Sequence, residues 1–313
     1  MPTLPTYADV VAARERIRPH VRVTPVRTNP QLDAACGATL FFKCENLQAT
    51  GAFKARGAHN AVFALAESAA SRGVVTHSSG NHGAALALAG RSRQIPVSVV
   101  VPRGAAANKI ESIRRYGGVI VESGPTLADR ELAASQLQAE SGAVFVHPSN
   151  DAAVISGQGT AALELLEQQP DIEALVAPVG GGGILSGTAL AASGAGRPIA
   201  VYGGEPAGSD DAARSLAAGR ILLPDHPKTI ADGLRSALGD LTFAILRERG
   251  VRIFTVTEDQ ILEAMRLLRH VFEMPVEPSS AVAYAAVAAN PDVFRGRRVG
   301  VILTGGNVDP ALL

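Results

Sequence analysis

The sequence predicts an α/β fold with two parallel β-sheets that are covered by helices on both faces. Short apolar, β-branched segments alternate with longer helical segments along most of the chain. Glycine-rich turns follow several of the predicted strands, where α/β sheets bind ligands. The length of 313 residues, of which 47% are hydrophobic, is enough for two domains with sizeable cores.

The predicted elements form two series around an early segment. The early segment has helices over 7–18 and 30–35 and a strand over 39–43. The first series has helices 57–70, 82–93, 106–116 and 126–140, and strands 73–77, 97–101, 118–121 and 143–146. The second has helices 153–168, 184–193, 209–218, 240–249, 258–272 and 279–289, and strands 174–178, 199–203, 252–255 and 298–303.

We expect the early segment to pack with the second series. Residues 1–50 and 148–313 would then form a large domain, and residues 51–147 a smaller inserted domain. The active site is expected in the cleft between the two domains.

Composition excludes several classes of function. The 29 basic and 29 acidic residues give no net charge, and no basic run is present, so nucleic-acid binding and membrane binding are not expected. Cys36 and Cys44 lack the spacing of a zinc site or a disulfide framework, which favours reduced thiols. Residues 1–20 show neither a signal peptide nor an apolar span, so we expect a cytoplasmic protein.

The segment Gly51-Ala52-Phe53-Lys54-Ala55-Arg56-Gly57 places a lysine after an aromatic residue and between glycines. A site that removes water from the Lys54 ammonium would lower its pKa and free the lone pair for imine formation. Taken alone, the segment favours an ordinary solvated lysine. The glycine-rich stretches downstream favour the reactive amine instead.

A second motif, Ser78-Ser79-Gly80-Asn81-His82-Gly83, joins a predicted strand to a helix. Such a turn presents free N–H groups and the positive helix end, which suit a carboxylate. A plain N-cap explains the same residues equally well. The motif alone favours His82 as a helix-start residue rather than as a catalytic base.

Four glycines, Gly180, Gly181, Gly182 and Gly183, separate a buried strand from a helix. Without side chains, the backbone can wrap a phosphate with its own N–H groups. The alternative is a close-packed glycine turn. Thr304, with Gly305-Gly306-Asn307 after it, ends the last strand and is expected to face the same crevice.

In this order and spacing, the lysine segment, the Ser-Ser-Gly-Asn-His-Gly turn, the tetraglycine loop and the final Thr-Gly-Gly-Asn resemble the fold-type II pyridoxal-phosphate enzymes. The serine racemases and serine/threonine dehydratases are the most similar in appearance. The resemblance runs from Thr24 to Asp309 and includes Phe42-Lys43-Cys44-Glu45, Thr229-Ile230-Ala231-Asp232-Gly233 and Phe254-Thr255-Val256-Thr257-Glu258.

The resemblance implies a cofactor site for pyridoxal 5'-phosphate. Lys54 would bind the cofactor covalently, with Phe53 packed beside it and Asn81 bonded to its phenolic oxygen. Gly180 through Gly183 would hold its phosphate. Thr304 would face the pyridine nitrogen, where a hydroxyl makes the ring a weaker electron sink than a carboxylate would.

The resemblance also implies a small amino acid as substrate, and activity as a dehydratase of β-hydroxy amino acids such as serine, threonine or 3-hydroxyaspartate. Lys54 would take the α-proton, and loss of the β-hydroxyl would give a 2-oxo acid and ammonia. Ser79 matches the residue that transfers a proton on the opposite face in racemases, so racemisation is the main alternative. The implied substrate contacts are Ser78, Ser79, Asn81, His82, Arg130 and Ser236.

Arg130 could favour a substrate with a β-carboxylate, because a guanidinium forms paired charge-assisted hydrogen bonds with it. An arginine between Asp129 and Glu131 on a helix is equally well explained as solvated.

The segment 205–211 matches a divalent-cation site of the family. Glu205, a main-chain carbonyl at Ser209, and Asp211 would supply the oxygen ligands that Mg²⁺, Mn²⁺ or Ca²⁺ prefer. The alternative is an acid-rich helix N-terminus. Ala49, where nucleotide-activated racemases carry a lysine, argues against activation by ATP.

The family resemblance further implies a homodimer. Two other functions stay open: a β-replacement enzyme similar to cysteine synthase, and a silent ligand-binding protein. The intact Lys54 and Ser79 argue against a silent protein, and the Glu205–Asp211 segment favours the dehydratases and racemases.

Overall fold

The computed structural model describes residues 3–308. Its α-helices are α1 Tyr7–Ile17, α2 Pro30–Cys36, α3 Lys54–Ala64, α4 Glu67–Ala70, α5 Asn81–Arg93, α6 Ala107–Arg115, α7 Leu127–Ser141, α8 Ala152–Gln168, α9 Gly183–Ser193, α10 Asp211–Ala218, α11 Asp240–Glu248, α12 Glu258–Phe272, α13 Pro278–Ala288 and α14 Pro291–Phe294. Its strands are β1 Val26–Arg27, β2 Thr39–Cys44, β3 Val74–Thr76, β4 Val97–Pro102, β5 Val119–Ser123, β6 Val144–Phe145, β7 Ala174–Pro178, β8 Ala200–Pro206, β9 Arg252–Val256 and β10 Arg298–Leu303.

These strands form two sheets. The larger sheet has the order β1-β2-β10-β7-β8-β9, and its strands are parallel except for the antiparallel β1 at one edge. The smaller sheet has the order β5-β4-β3-β6 and is parallel throughout. We call β3–β6 with α4–α7 the small-sheet unit, and the larger sheet with its helices the large-sheet unit. The predicted α/β fold with two parallel sheets is confirmed.

The early segment enters the larger sheet through β2, which pairs with β10 from Thr39 beside Arg298 to Cys44 beside Leu303. Helix α3 then leads to the small-sheet unit and packs against both α8 and α5. The domain limits at 50/51 and 147/148 stay a prediction.

Both faces of the larger sheet are buried, as parallel sheets require. Side chains alternate along each strand. In β2, Phe42 packs into the core beneath α12 and α13, whereas Phe41 points into the opposite core beneath α8 and α9. Val301 and Ile302 of β10 divide in the same way.

The sequence prediction was wrong at one helix near the site. Residues 57–70 do not form a single helix: α3 begins earlier, at Lys54, and the extended backbone of Leu65 and Ala66 separates it from α4. Lys54 therefore lies in the first helical turn, not in a loop. The short elements β1 and α14 were not predicted, and the other elements differ from prediction by a few residues at their ends.

Within residues 3–308, no helix is both long enough and apolar enough to cross a membrane.

Candidate active site

The backbone before Lys54 is bent tightly enough to start α3 at the end of the larger sheet. Thr50 and Gly51 both have positive φ angles, +63° and +72°. A Cβ on Gly51 would lie 2.6 Å from Oδ1 of Asn307, so only glycine fits this turn. The Phe53 N–H donates to the Thr304 carbonyl over 2.9 Å. These contacts fix the lysine beside the carboxyl end of β10.

The Lys54 side chain is half-buried where α3 meets residue 148. Its Nζ donates to the Pro148 carbonyl over 2.7 Å and lies 5.0 Å from the centre of the Phe53 ring. Burial lowers the pKa of Lys54 to about 8, although the Glu277 carboxylate acts in the opposite direction. The amine is therefore closer to its neutral, nucleophilic form at pH 7 than an ordinary lysine.

Asn81, the first residue of α5, joins the two units at the cleft. Its Nδ2 donates to the two Glu277 oxygens over 3.1 and 3.2 Å. Its Oδ1 accepts a 2.8 Å hydrogen bond from Nδ2 of Asn307. Ser78 and Ser79 precede it, half-buried, at the carboxyl end of β3. The turn thus lies opposite the end of β10.

Glu277 is a site residue that the sequence reasoning missed. It is buried, and it also accepts a 3.2 Å hydrogen bond from the Asn307 N–H. Burial raises the pKa of Glu277 to about 7, even though the Asn81 hydrogen bond lowers it. Because Glu277 directly precedes Pro278 at the start of α13, the sequence explains it fully as a helix-start residue. Only the fold brings it to Asn81.

The four-glycine loop lies between β7 and α9, and its neighbours are too close to leave room for side chains on the glycines. A Cβ on Gly180 would lie 2.7 Å from Cα of Leu234, and one on Gly181 would lie 2.3 Å from Oγ of Ser149. Gly182 has a φ of +82°. Within residues 3–308, the N–H groups of Gly180, Gly181 and Gly182 donate no hydrogen bond to any partner. Free N–H groups before a helix N-terminus fit the phosphate of pyridoxal phosphate.

Thr304 is buried directly after β10. Its carbonyl accepts the hydrogen bond from the Phe53 N–H, and the next residue, Gly305, forms a β-bridge with Ala52. The hydroxyl therefore lies on the same short stretch of backbone that positions Lys54.

His82 is buried, with Nε2 3.4 Å from the Val146 carbonyl and Nδ1 without a partner among the described residues. Burial, and then the charge of Lys54, hold the pKa of His82 well below its usual value, so the ring is neutral. The structure favours His82 as a buried polar contact rather than as a charged acid.

Arg130 and Ser236 differ in their burial and in their contacts. The half-buried Arg130 donates from Nη1 to the carbonyl of His77 over 3.4 Å. Its guanidinium therefore lies at the end of β3, next to the residue that precedes Ser78 in the chain. Ser236 is exposed, two residues after the turn Asp232–Leu234, and makes no hydrogen bond within residues 3–308.

The predicted cation ligands lie together at the carboxyl end of β8. Glu205 is buried and accepts from the Ala212 and Ala213 N–H groups over 2.7 and 2.8 Å. Burial raises its pKa to about 8 despite those bonds. Oδ2 of Asp211 is buried without a partner among the described residues. Within residues 3–308, no three His, Cys, Asp or Glu side chains are grouped to hold a metal.

Known proteins match this chain along almost its full length. A family described as pyridoxal-phosphate dependent enzyme matches residues 17–305. The β-hydroxyaspartate dehydratase of Paracoccus denitrificans is 51% identical over 98% of this chain and 97% of its own length. The serine racemase of Arabidopsis thaliana is 47% identical over 96% of this chain and 94% of its own.

A solved structure gives the same result. The serine racemase of Dictyostelium discoideum superposes with a TM-score of 0.93 at 44% identity, and the match covers 97% of this chain and 99% of that one. The chain therefore belongs to the family of pyridoxal-phosphate-dependent enzymes, with the fold-type II architecture.

Proposed function

We propose that this protein is a pyridoxal-phosphate-dependent dehydratase, an ammonia-lyase that converts a β-hydroxy amino acid to a 2-oxo acid and ammonia. The observation that carries the proposal is the position of Lys54, whose half-buried amine has a pKa of about 8 and starts a helix at the cleft. The similarity to a β-hydroxyaspartate dehydratase and to serine racemases supports it.

The cofactor, when bound, would supply the electron sink that makes the α-proton acidic. Lys54 would bind it and then remove that proton. The N–H groups of Gly180, Gly181, Gly182 and Gly183 would hold the phosphate, with Phe53 and Asn81 against the ring and Thr304 toward its nitrogen. Ser78, Ser79 and the N-terminus of α5 would bind the substrate carboxylate.

We propose 3-hydroxyaspartate as the preferred substrate. Arg130 lies at the end of β3, beside the turn expected to bind the α-carboxylate, and could pair with a β-carboxylate. The name of the 51%-identical relative supports this choice. Ser236 and His82 stay predicted substrate contacts.

Racemisation is the second candidate, because Ser79 matches the position from which racemases transfer a proton on the face opposite the lysine. Serine racemases 47% and 45% identical to this chain support it.

We also propose a divalent cation, Mg²⁺, Mn²⁺ or Ca²⁺, held by Glu205, the Ser209 carbonyl and Asp211. Two buried carboxyl groups, one with an unpartnered oxygen, favour a cation between them. A homodimer in the cytoplasm completes the proposal.

The test of the substrate is a panel of L-serine, L-threonine and 3-hydroxyaspartate, with release of the 2-oxo acid as the readout. We expect 3-hydroxyaspartate to have the highest kcat/KM, and Arg130→Ala to remove that preference by roughly 2–3 kcal/mol, the scale of a charge-assisted hydrogen bond. Arg114→Ala, an exposed arginine on α6, is the control. Equal losses for all three substrates would mean that Arg130 acts on structure.

The test of the second candidate is Ser79→Ala. Racemisation needs a proton donor on the second face and should be lost, whereas elimination from the L-substrate should be reduced much less. Equal losses in both reactions would contradict a two-face mechanism.

A further inference from the structure

An ion pair crosses the exposed edge of the cleft between the two units. Lys109 lies in the first turn of α6, in the small-sheet unit, and Asp232 lies in the short turn Asp232–Leu234 of the large-sheet unit. Nζ of Lys109 is 2.6 Å from Oδ2 of Asp232, and the two side chains are 41% and 53% exposed. Because 123 residues separate them, this contact reports how the units are placed relative to each other.

The turn that carries Asp232 borders the cofactor site. Its Gly233 N–H donates to Oγ of Ser279 over 3.1 Å, two residues after Glu277. The backbone of Leu234, in the same turn, packs against Gly180, since a Cβ on Gly180 would lie 2.7 Å from Cα of Leu234. Burial is the main cause of the raised pKa of Glu277, the Asp232 carboxylate raises it further, and the Lys109 ammonium lowers it. Both charges therefore lie within electrostatic reach of the cleft.

The pair differs from the other links between the units. Asn81 reaches Glu277 and Asn307 through neutral amide hydrogen bonds inside the cleft. Within residues 3–308, Lys109–Asp232 is the ion pair that joins the small-sheet unit directly to the large-sheet unit. Half-exposed pairs contribute little stability and are screened by salt, so this one can break and re-form in each turnover.

We propose that the Lys109–Asp232 ion pair is a clasp that holds the cleft closed over bound substrate and sets substrate affinity rather than the chemical step. Opening the pair separates α6 from the Asp232 turn and admits the amino acid. Closing it excludes water from the site and completes the contacts around the substrate. Lys109 and Asp232 are thus positioning residues.

The kinetic test uses Lys109→Gln, Asp232→Asn and the charge exchange Lys109→Asp with Asp232→Lys. We expect each single variant to raise KM about three- to fivefold with kcat nearly unchanged, and the exchange to restore most of the affinity. Between about 0.05 and about 0.5 M salt, KM should rise in the wild type and stay nearly flat in the single variants. Arg249→Gln is the control, because the Arg249–Glu248 pair, at 3.4 Å, lies inside the large-sheet unit.

The second test measures amide hydrogen exchange in the cofactor-loaded enzyme without substrate. Exchange in α6 and residues 229–235 should be faster in Lys109→Gln than in the wild type, and unchanged in Arg249→Gln. Unchanged exchange in Lys109→Gln, failure of the charge exchange to restore KM, or a loss confined to kcat would each overturn the clasp.

The kinetic test of the clasp rests on the proposed function, whereas the hydrogen-exchange test does not. If none of the three β-hydroxy amino acids were turned over, the proposed function would fail, while the exchange measurement would still decide whether the ion pair holds the units together.

Discussion

Two regions flanking α3 bury ionisable groups in opposite ways. At the base of the cleft, Arg56 pairs through Nε and Nη2 with the two oxygens of Glu45, each at 2.7 Å, and Nη1 and Nη2 lie 3.2 Å from the oxygens of Glu164. Lys43 donates to Glu164 and to the Thr24 carbonyl. In the cleft, Lys54 and Glu277 have neutral hydrogen-bond partners instead. The charged groups at the base of the cleft therefore form ion pairs, whereas Lys54 and Glu277 in the cleft do not.

The consequence is visible in the pKa values. Burial acts to raise the pKa of Glu45, but the Arg56 guanidinium brings it below its usual value, so the carboxylate stays charged. Glu277 is also buried but has no such partner, and its pKa rises to about 7. Burial with a counter-ion therefore gives structure, and burial without one gives groups that can exchange protons near neutral pH.

The largest effect is expected for Lys54→Ala. The change removes the amine that would bind the cofactor and move the proton, so activity should fall by about 10³-fold or more and the visible absorbance of bound cofactor should be lost. Unfolding free energy should change by less than about 1 kcal/mol, since little apolar area is removed. Wild-type turnover in this variant would contradict the assignment of the site.

Arg56→Met should act in the opposite way, on stability. Removing the guanidinium leaves the buried Glu45 carboxylate without its ion pair, whereas Glu164 keeps Lys43, and the loss should cost about 3–5 kcal/mol in chemical denaturation. Arg249→Met is the matched control, because both side chains of the Arg249–Glu248 pair are exposed and the pair should contribute only about 0–1 kcal/mol. Similar losses in both variants would contradict the expectation that the buried Arg56 pairs stabilise the protein more than an exposed ion pair does.

Removal of a bound cation should destabilise the holoenzyme. A chelator should lower the melting temperature, and Mg²⁺ or Mn²⁺ should restore it. When the cation is at 100 times its Kd, the unfolding free energy should rise by about 3 kcal/mol. Glu205→Gln should make melting insensitive to both additions. A wild-type protein that melts identically with chelator and with cation has no such site.

The smallest effect concerns Glu277→Gln in the protein stripped of cofactor. The raised pKa of Glu277 contributes stability that is present below about pH 4.5 and is lost as the pH rises through about 7. The variant should therefore flatten the fall in stability between pH 5 and 7, by about 1–3 kcal/mol. Glu45, whose pKa is lowered, should show the opposite sign, with stability lost as the pH falls. An unchanged pH slope in Glu277→Gln would contradict a raised pKa of the buried Glu277 carboxyl group.

Sequence reasoning reached the elements and motifs whose cause is local. The alternation of strands with helices gave both sheets, because period and length are properties of neighbouring residues. It misplaced the start of α3, since the tight turn at Thr50 and Gly51 depends on Asn307 at the far end of the chain. It missed Glu277 and Lys109 for the same reason: each sits on an ordinary helix start, and only tertiary packing brings them to Asn81 and Asp232.

The pairing of the lysine segment with the end of β10 also means that an early segment of the chain can be positioned only after a late one has been synthesised. β10 inserts between β2 and β7, and its following residues bond to Gly51 and Phe53. During synthesis, Lys54 is therefore made long before the strand that positions it. A nascent chain that stops before residue 298 lacks both β10 and the backbone groups that hydrogen-bond to the segment around Lys54. We therefore expect it to bind the cofactor only after β10 has been inserted into the larger sheet.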